Sequence, residues 1–476
     1  MIRIYFDWNV ISNYKREDFL DFRSFIELHK DYLQFPYSPA HFSDLMKSYK
    51  PDNPYFNEDL NNLDFLAERH FLRWGKNGME FLFCSPKEYF EIEKEREDLF
   101  PLINMEEIIK DLDEIDVGNG KIETLFKEIF ESLPINLPNK VEKEETFKKM
   151  LPYLNENSTV WDLMNNIFPF AKKLLQDKEY YKDFRKTIAD NGFKLDPNSG
   201  NWEIDDVINN IDAFLHERGL NLTFSEYVKS SFEHRKEPIT KYEYYTNAYL
   251  MLDMIGYKSD KLPKPTDNMQ NIHNDAEHSF YAAHCDFFVV ADKKLRVKAK
   301  VLYHQLNIQT IVISPEDFIG TIKEKMHIQN LDQHFLNAVF TLIKSENLIE
   351  SYAKSEGNEV EIFAFKLPIF YFNFFNFVVY EDYPEHEGVI ITFKRAFKNF
   401  SRGIFFTESE RVINRVSKFF GYENEEDLTL KIKKFVYSDE KVDFIWKFEA
   451  GFVKLERDEE TKRPILVYIV SSKQLI

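Results

Sequence analysis

The sequence predicts an α/β protein: a parallel sheet interrupted by a large helical insertion and followed by a C-terminal α+β domain. Three observations predict it. Short β-favouring apolar runs alternate with helical periodicity over residues 1–85, the pattern of βαβ units. From 86 to 240 only helical patterns remain, and the alternation resumes over 241–325. From 326 to 476 the pattern is mixed, with aromatic strands and helices in a different order.

Ile2 to Phe6 reads as a strand that ends at Asp7, and Val10 to Tyr14 and Phe19 to Leu28 as helices. Tyr32 to Tyr37 is a second strand, followed by Ser38-Pro39, a capping Ser with Pro in the first helical turn. The helix this opens carries His41, Asp44 and Leu45. A further helix over about 56–74 precedes Met79 to Cys84, read as the third strand. Within the insertion, breaks are expected at 133–139 and 196–200. Val207, Ile208, Ile211, Phe214 and Leu215 share a helical face, Gly219 is a C-cap, and Thr223 with Glu226 forms a capping box. Strands resume at Phe287 to Ala291, ending at Asp292, then a helix from Lys293 to Gln305 and a strand from Thr310 to Ile313 follow. Beyond 325 the expected elements are a helix near 333–353, strands between Val360 and Phe393, a helix capped by Thr407 with Glu410 and stopped near Gly421, and a hairpin over 442–472.

At 476 residues the chain exceeds what one core organises, and 43% hydrophobic with 30% charged residues is the balance of a folded chain. No basic segment leads into an apolar one at the start, and no apolar run reaches the roughly 20 residues of a membrane helix, so a cytoplasmic protein without membrane partners is expected. Two cysteines, Cys84 and Cys285, make neither a disulfide framework nor a zinc pattern. A net charge of −19 excludes a protein that coats nucleic acid nonspecifically, so any nucleic-acid contact is local.

Two acids sit directly after apolar strands, Asp7 and Asp292, at the carboxyl edge where open α/β sheets bind ligands. Asp275, read as opening a helix whose His278, Ala282 and Asp286 share a face, delivers a third acid, and Asp44 a fourth. Clustered carboxylates repel unless a counter-charge joins them, and a hard divalent cation is the natural one. Each acid alone also fits a turn or a helix cap.

These segments, Ile4-Tyr5-Phe6-Asp7-Trp8-Asn9-Val10, Pro36-Tyr37-Ser38-Pro39-Ala40-His41-Phe42-Ser43-Asp44-Leu45, Asn274-Asp275-Ala276-Glu277-His278 and Phe287-Phe288-Val289-Val290-Ala291-Asp292, together resemble the PIN-like nuclease family. The resemblance covers roughly residues 1–85 and 240–320. It implies a PIN-like sheet, catalytic acids Asp7, Asp44, Asp275 and Asp292, and Mg or Mn held by Asp7, Asp275 and Asp292, with Asn9 supporting the first. Two features depart from the family: the second acid is often Glu there and is Asp44 here, and the helical insertion is large.

His41 and His278 each lie one turn from a proposed ligand acid, where they either orient a carboxylate or are buried helix histidines. His273, Asp275, His278 and His284 lack zinc-site spacing. Lys293, Lys294 and Arg296, continued by Lys298 and Lys300, form a basic helix after Asp292 that either holds substrate phosphates or is a solvated face. Phe363, Phe365, Phe370, Phe372, Phe374, Phe375 and Phe377 are read as strand core before base-stacking platforms. The resemblance implies a metal-dependent endoribonuclease with an RNA substrate, in toxin-like arrest, phage defence or RNA processing. The competing readings are a structure-selective DNA nuclease and a catalytically degenerate scaffold. The C-terminal domain is read as a place for a homodimer or a regulatory partner.

Overall fold

A computed structural model describes residues 1–95 apart from 48 and 50–52, positions 181–182, 185–186 and 189, 194–259 apart from 233–237, 269–326, and 350–471 apart from short gaps at 356–358, 384–387, 397–401, 423–424, 439, 449–450 and 460. The breaks expected at 133–139, and the helix expected near 333–353 as far as 349, lie outside the described residues. The chain forms two compact units. The first comprises Met1–Tyr89, Tyr281–Asp292 and Gln309–Ile476, and the second Phe90–Phe280 and Lys293–Ile308.

The first unit holds every strand in the described residues. Strand β1 (Ile2–Phe6) is entirely buried, as an apolar strand covered on both faces must be. It pairs in parallel with β2 (Leu33–Gln34) on one side, and β3 (His70–Gly75) and β4 (Gly78–Phe83) form a separate antiparallel hairpin. On its other side β1 pairs in parallel with β5 (Phe287–Val289), which pairs in parallel with β6 (Ile311–Ile313). The sheet order is therefore β2-β1-β5-β6, a parallel α/β sheet. Helices Trp8–Asn13, Leu20–His29 and Pro39–Lys47 fall where periodicity places them.

Met79 to Cys84 is not a third parallel strand. The helix before it, Pro54–Ala67, stops well short of 74, and His70–Gly75 turns back on Gly78–Phe83 across Lys76-Asn77. Gly78, at φ 115°, occupies the left-handed region that a side chain disfavours, so the Asn77-Gly78 pair is the hairpin signal outweighed by the apolar run. Asp275 also departs from expectation, since it lies inside the helix Met269–Ala282 and does not begin it. Thr407 likewise lies within the helix Arg402–Phe420 and caps nothing at its start, while Gly421 at φ 82° does end that helix.

The seven remaining strands, β7 (Glu350–Ser355), β8 (Glu359–Tyr371), β9 (Phe375–Tyr383), β10 (Gly388–Lys394), β11 (Phe444–Phe448), β12 (Gly451–Arg457) and β13 (Pro464–Ser471), make one antiparallel sheet, ordered β11-β12-β13-β10-β9-β8-β7. Register aligns Phe365, Val378, Phe393, Leu466, Leu455 and Phe444 in a row across it. Against that face pack Val412, Ile413 and Val416 of the helix Arg402–Phe420 and Ile432, Phe435 and Val436 of the helix Glu425–Tyr437. Each such side chain, removed from water, stabilises the fold by about 2 kcal/mol. Phe365, Phe372, Phe374 and Phe375 lie in this core, so the Phe-rich run is strand and turn interior.

Buried charge ties the parallel sheet of this unit to the antiparallel sheet and its helices. Glu408 accepts from Arg3 at 3.1 Å and from Arg463 at 2.8 Å. Burial alone would raise the Glu408 carboxyl, and the arginines outweigh it, holding the group well below the usual carboxylate range. Arg395 forms a bidentate pair with Asp286, at 2.9 and 2.5 Å.

The second unit is helical among its described residues. Capping boxes Thr223/Glu226 and Thr240/Glu243 open the helices Phe224–Ser230 and Lys241–Met254. Lys298 of the helix Lys293–Gln305 buries its ammonium against Asp253, 2.8 Å away, and Tyr181 donates to the same carboxylate at 3.2 Å. No helix among the described residues is long and apolar enough to cross a membrane.

His70 gives a pH prediction. Burial, reinforced by the positive charge of Arg3, lowers its pKa to about 4. The unfolded chain binds this proton from about pH 6.5 downward and the native chain does not, so stability is full above about 6.5 and falls as pH drops toward 4. Urea unfolding is expected to lose about 3 kcal/mol of stability across that window through His70, so the slope should be shallower in His70→Phe. Identical slopes would contradict the assignment.

Candidate functional site

The carboxyl ends of β1 and β5 lie side by side. The Asp7 amide donates to the Val289 carbonyl at 3.0 Å, continuing the ladder past Phe6, and the Val290 amide donates to Ile313 at 3.0 Å. Asp292 follows three residues after β5 ends, and it is exposed. The crossover from β1 leads to β2 on one side and that from β5 to β6 on the other, so the topological switch point falls between β1 and β5. Asp7 directly follows β1 at that point, and Asp292 lies three residues beyond the end of β5.

Asp7 occupies the N-cap position of the helix Trp8–Asn13, yet its side chain makes no capping hydrogen bond. That weakens the plain reading of this acid as a cap. Its Oδ2 instead accepts from Asn9 Nδ2 at 3.3 Å, and the residue is 2% exposed. Asn9, two residues on, is therefore a side-chain donor to this carboxylate.

His41 is fully buried beneath this edge. The Ser38 amide donates to Nδ1 at 3.1 Å, which leaves the proton on Nε2, and Nε2 lies 2.9 Å from the Phe6 carbonyl, to which it donates. Both ring nitrogens therefore act on backbone, fixing the peptide that links Phe6 to Asp7 and the start of the helix Pro39–Lys47. Tyr5 and Ser38 complete the cluster, their hydroxyls 2.6 Å apart. Burial pushes the Tyr5 phenol up, offset in part by Ser38, so the hydroxyl stays protonated. Tyr5 and Ser38 carry no chemical signature in sequence, because a strand Tyr and a helix-start Ser are ordinary residues.

Asp44 lies one turn beyond His41, half-buried, with Oδ1 2.7 Å from Lys47 Nζ. Asp275 and His278 belong to the second unit, Asp275 half-buried and His278 fully buried in the helix Met269–Ala282. Lys293, Lys294 and Arg296 occupy the first turns of the helix that follows Asp292, and Lys293 is exposed. Lys298 is taken out of any phosphate-binding role by its buried pairing with Asp253. Among the described residues, no three His, Cys, Asp or Glu side chains gather into a metal-ligating group. Mg and Mn bind through one or two carboxylates and keep much of their water, so the residues that could hold one at this edge are Asp7 and Asp292.

No family model matches the chain, and neither does any curated protein or solved structure. The likeness to PIN-like nucleases rests on the motifs alone.

Removing the His41 ring orphans the Ser38 amide and the Phe6 carbonyl together, both buried. His41→Phe is expected to cost about 2–4 kcal/mol in urea unfolding, with His41→Gln recovering part of the loss. A loss of less than about 0.5 kcal/mol would show that the ring is not what holds this edge.

Proposed function

We propose that the chain is a metal-dependent endoribonuclease working at the carboxyl edge of β1 and β5. One observation carries the reading: the sheet order β2-β1-β5-β6 has its switch point between the two strands that Asp7 and Asp292 follow. The preference for RNA comes from the resemblance to PIN-like nucleases. Asp7 and Asp292 would hold Mg or Mn. The cation, when bound, supplies an acidified water and neutralises charge developing on the phosphate.

The remaining work belongs to the chain. Asn9 orients the Asp7 carboxylate, and His41 fixes the peptide on which Asp7 is mounted. Lys293, Lys294 and Arg296, next in the chain after Asp292, supply positive charge for substrate phosphates in a protein that is otherwise strongly acidic. Asp44 and Asp275 are assigned to the reaction by the motif resemblance. A second reading, a degenerate scaffold, draws on the lack of any three-ligand group among the described residues.

Cleavage of RNA is expected with Mg or Mn, to stop on chelation, and to fall by at least about 100-fold in Asp7→Asn and in Asp292→Asn. Manganese should raise the melting temperature of the wild type, and shift either variant much less. A manganese shift that survives in both variants would dismiss the two-carboxylate site, and a wild type that neither cuts RNA nor responds to manganese would favour the scaffold.

A further inference from the structure

Asp286 stands immediately before β5, outside the candidate site, and its bonds reach three partners. Its amide donates to the Arg3 carbonyl at 2.9 Å, and its Oδ2 accepts the Arg3 amide at 2.8 Å, closing a ring with β1. Its carbonyl accepts the Ile311 amide at 2.9 Å, which ties it to β6. Its carboxylate receives both arms of Arg395, which directly follows β10 of the antiparallel sheet. The side chain is almost wholly buried.

The ladder this residue adjoins is short. Strands β1 and β5 share the pairs Ile4↔Phe287, Tyr5↔Phe288 and Phe6↔Val289, and β5 and β6 pair over the same three residues of β5. So few backbone bonds specify register weakly, and a slip of one residue would invert every side chain and move the strand by about 3.3 Å. We infer that Asp286 is the positioning residue of the switch-point site: it pins β1, β5 and β6 in the register that brings their carboxyl ends to one edge, and Arg395, directly after β10 of the antiparallel sheet, holds the pin.

A carboxylate is needed because one side chain must accept a backbone amide and a guanidinium together. The guanidinium supplies the counter-charge in the interior, and the backbone bond fixes the direction of the side chain. The lever arm is the strand itself. Asp286 lies six residues before Asp292, and Arg3 four before Asp7, so the pin acts at the amino ends of both strands whose carboxyl ends carry the acids. The antiparallel sheet thereby becomes part of the site's frame.

The inference rests on the nuclease reading for its catalytic consequence, but not for its structural one, and the test separates them. In the full chain, Asp286→Asn keeps an oxygen for the Arg3 amide and removes the charge, and Arg395→Gln removes the other partner. Hydrogen exchange is read at the amides of Asp7, Val290 and Ile311, which bridge the three strands, and at Val378 in β9 as a control. In both variants the bridging amides should lose protection roughly tenfold or more relative to Val378. RNA cleavage should fall by about 100-fold in kcat, with KM within about threefold, as for misplaced catalytic groups with intact substrate contacts. Unchanged protection at Asp7 in a folded variant overturns the pin. If the wild type cuts no RNA, the nuclease reading fails and the exchange result alone decides the pin. Should either variant fail to fold, Asp286→Glu, which keeps the charge on an arm one methylene longer, gives the same two readouts.

Discussion

Two buried ion pairs between the antiparallel sheet region and the parallel sheet hold the first unit together: Arg395 with Asp286, and Arg3 with Glu408. Ionised groups taken out of water cost several kcal/mol each, and they persist only where hydrogen bonds satisfy them. Here they do. The Asp286 carboxylate serves a backbone amide and a guanidinium, so removing Arg395 leaves its charge stranded in the interior, whereas Glu408 serves two guanidinium groups and its removal strands both. Apolar packing could attach one sheet to the other, but only directional bonds of this kind select one alignment of strands as short as β5 and β6.

The candidate site inherits its geometry from that alignment. Parallel strands bring both carboxyl ends to one edge, the crossovers diverge there, and His41 adds a bond to the last carbonyl of β1 from below. Asp7 and Asp292 are held differently. Asp7 is buried and accepts a bond from Asn9, whereas Asp292 is exposed.

Much of the switch point was legible in the sequence, because the signals there are local. An apolar run ended by an acid marked both β1 and β5, and a basic helix with no Gly or Pro ran from Lys293 to Gln305 as its periodicity required. The Thr223/Glu226 box was equally readable. Local reasoning failed where two signals competed. Met79 to Cys84 is apolar enough for a buried parallel strand, and only the Asn77-Gly78 pair argues for the hairpin it forms. Thr407 and Glu410 have capping-box spacing but sit inside a helix, where tertiary packing of Val412, Ile413 and Val416 extends the element past them. Asp286 was visible only as a face-mate of His278, and its true partners were not, because Arg3 is 283 residues away and Arg395 is 109. The bond between Arg3 and Glu408 spans 405 residues, a distance over which no periodicity or motif carries information.

The claim that the edge of β1 and β5 hydrolyses RNA phosphodiester bonds is tested most directly by the ends it leaves. Purified full-length protein is incubated with total RNA and manganese, and both new ends are mapped by sequencing with and without end repair. Attack by a water on phosphorus, without participation of the ribose 2′-hydroxyl, is expected to leave 5′-phosphate and 3′-hydroxyl ends that depend on Asp7 and Asp292. Ends carrying a 2′,3′-cyclic phosphate, or cuts that persist when both aspartates are replaced, would contradict it.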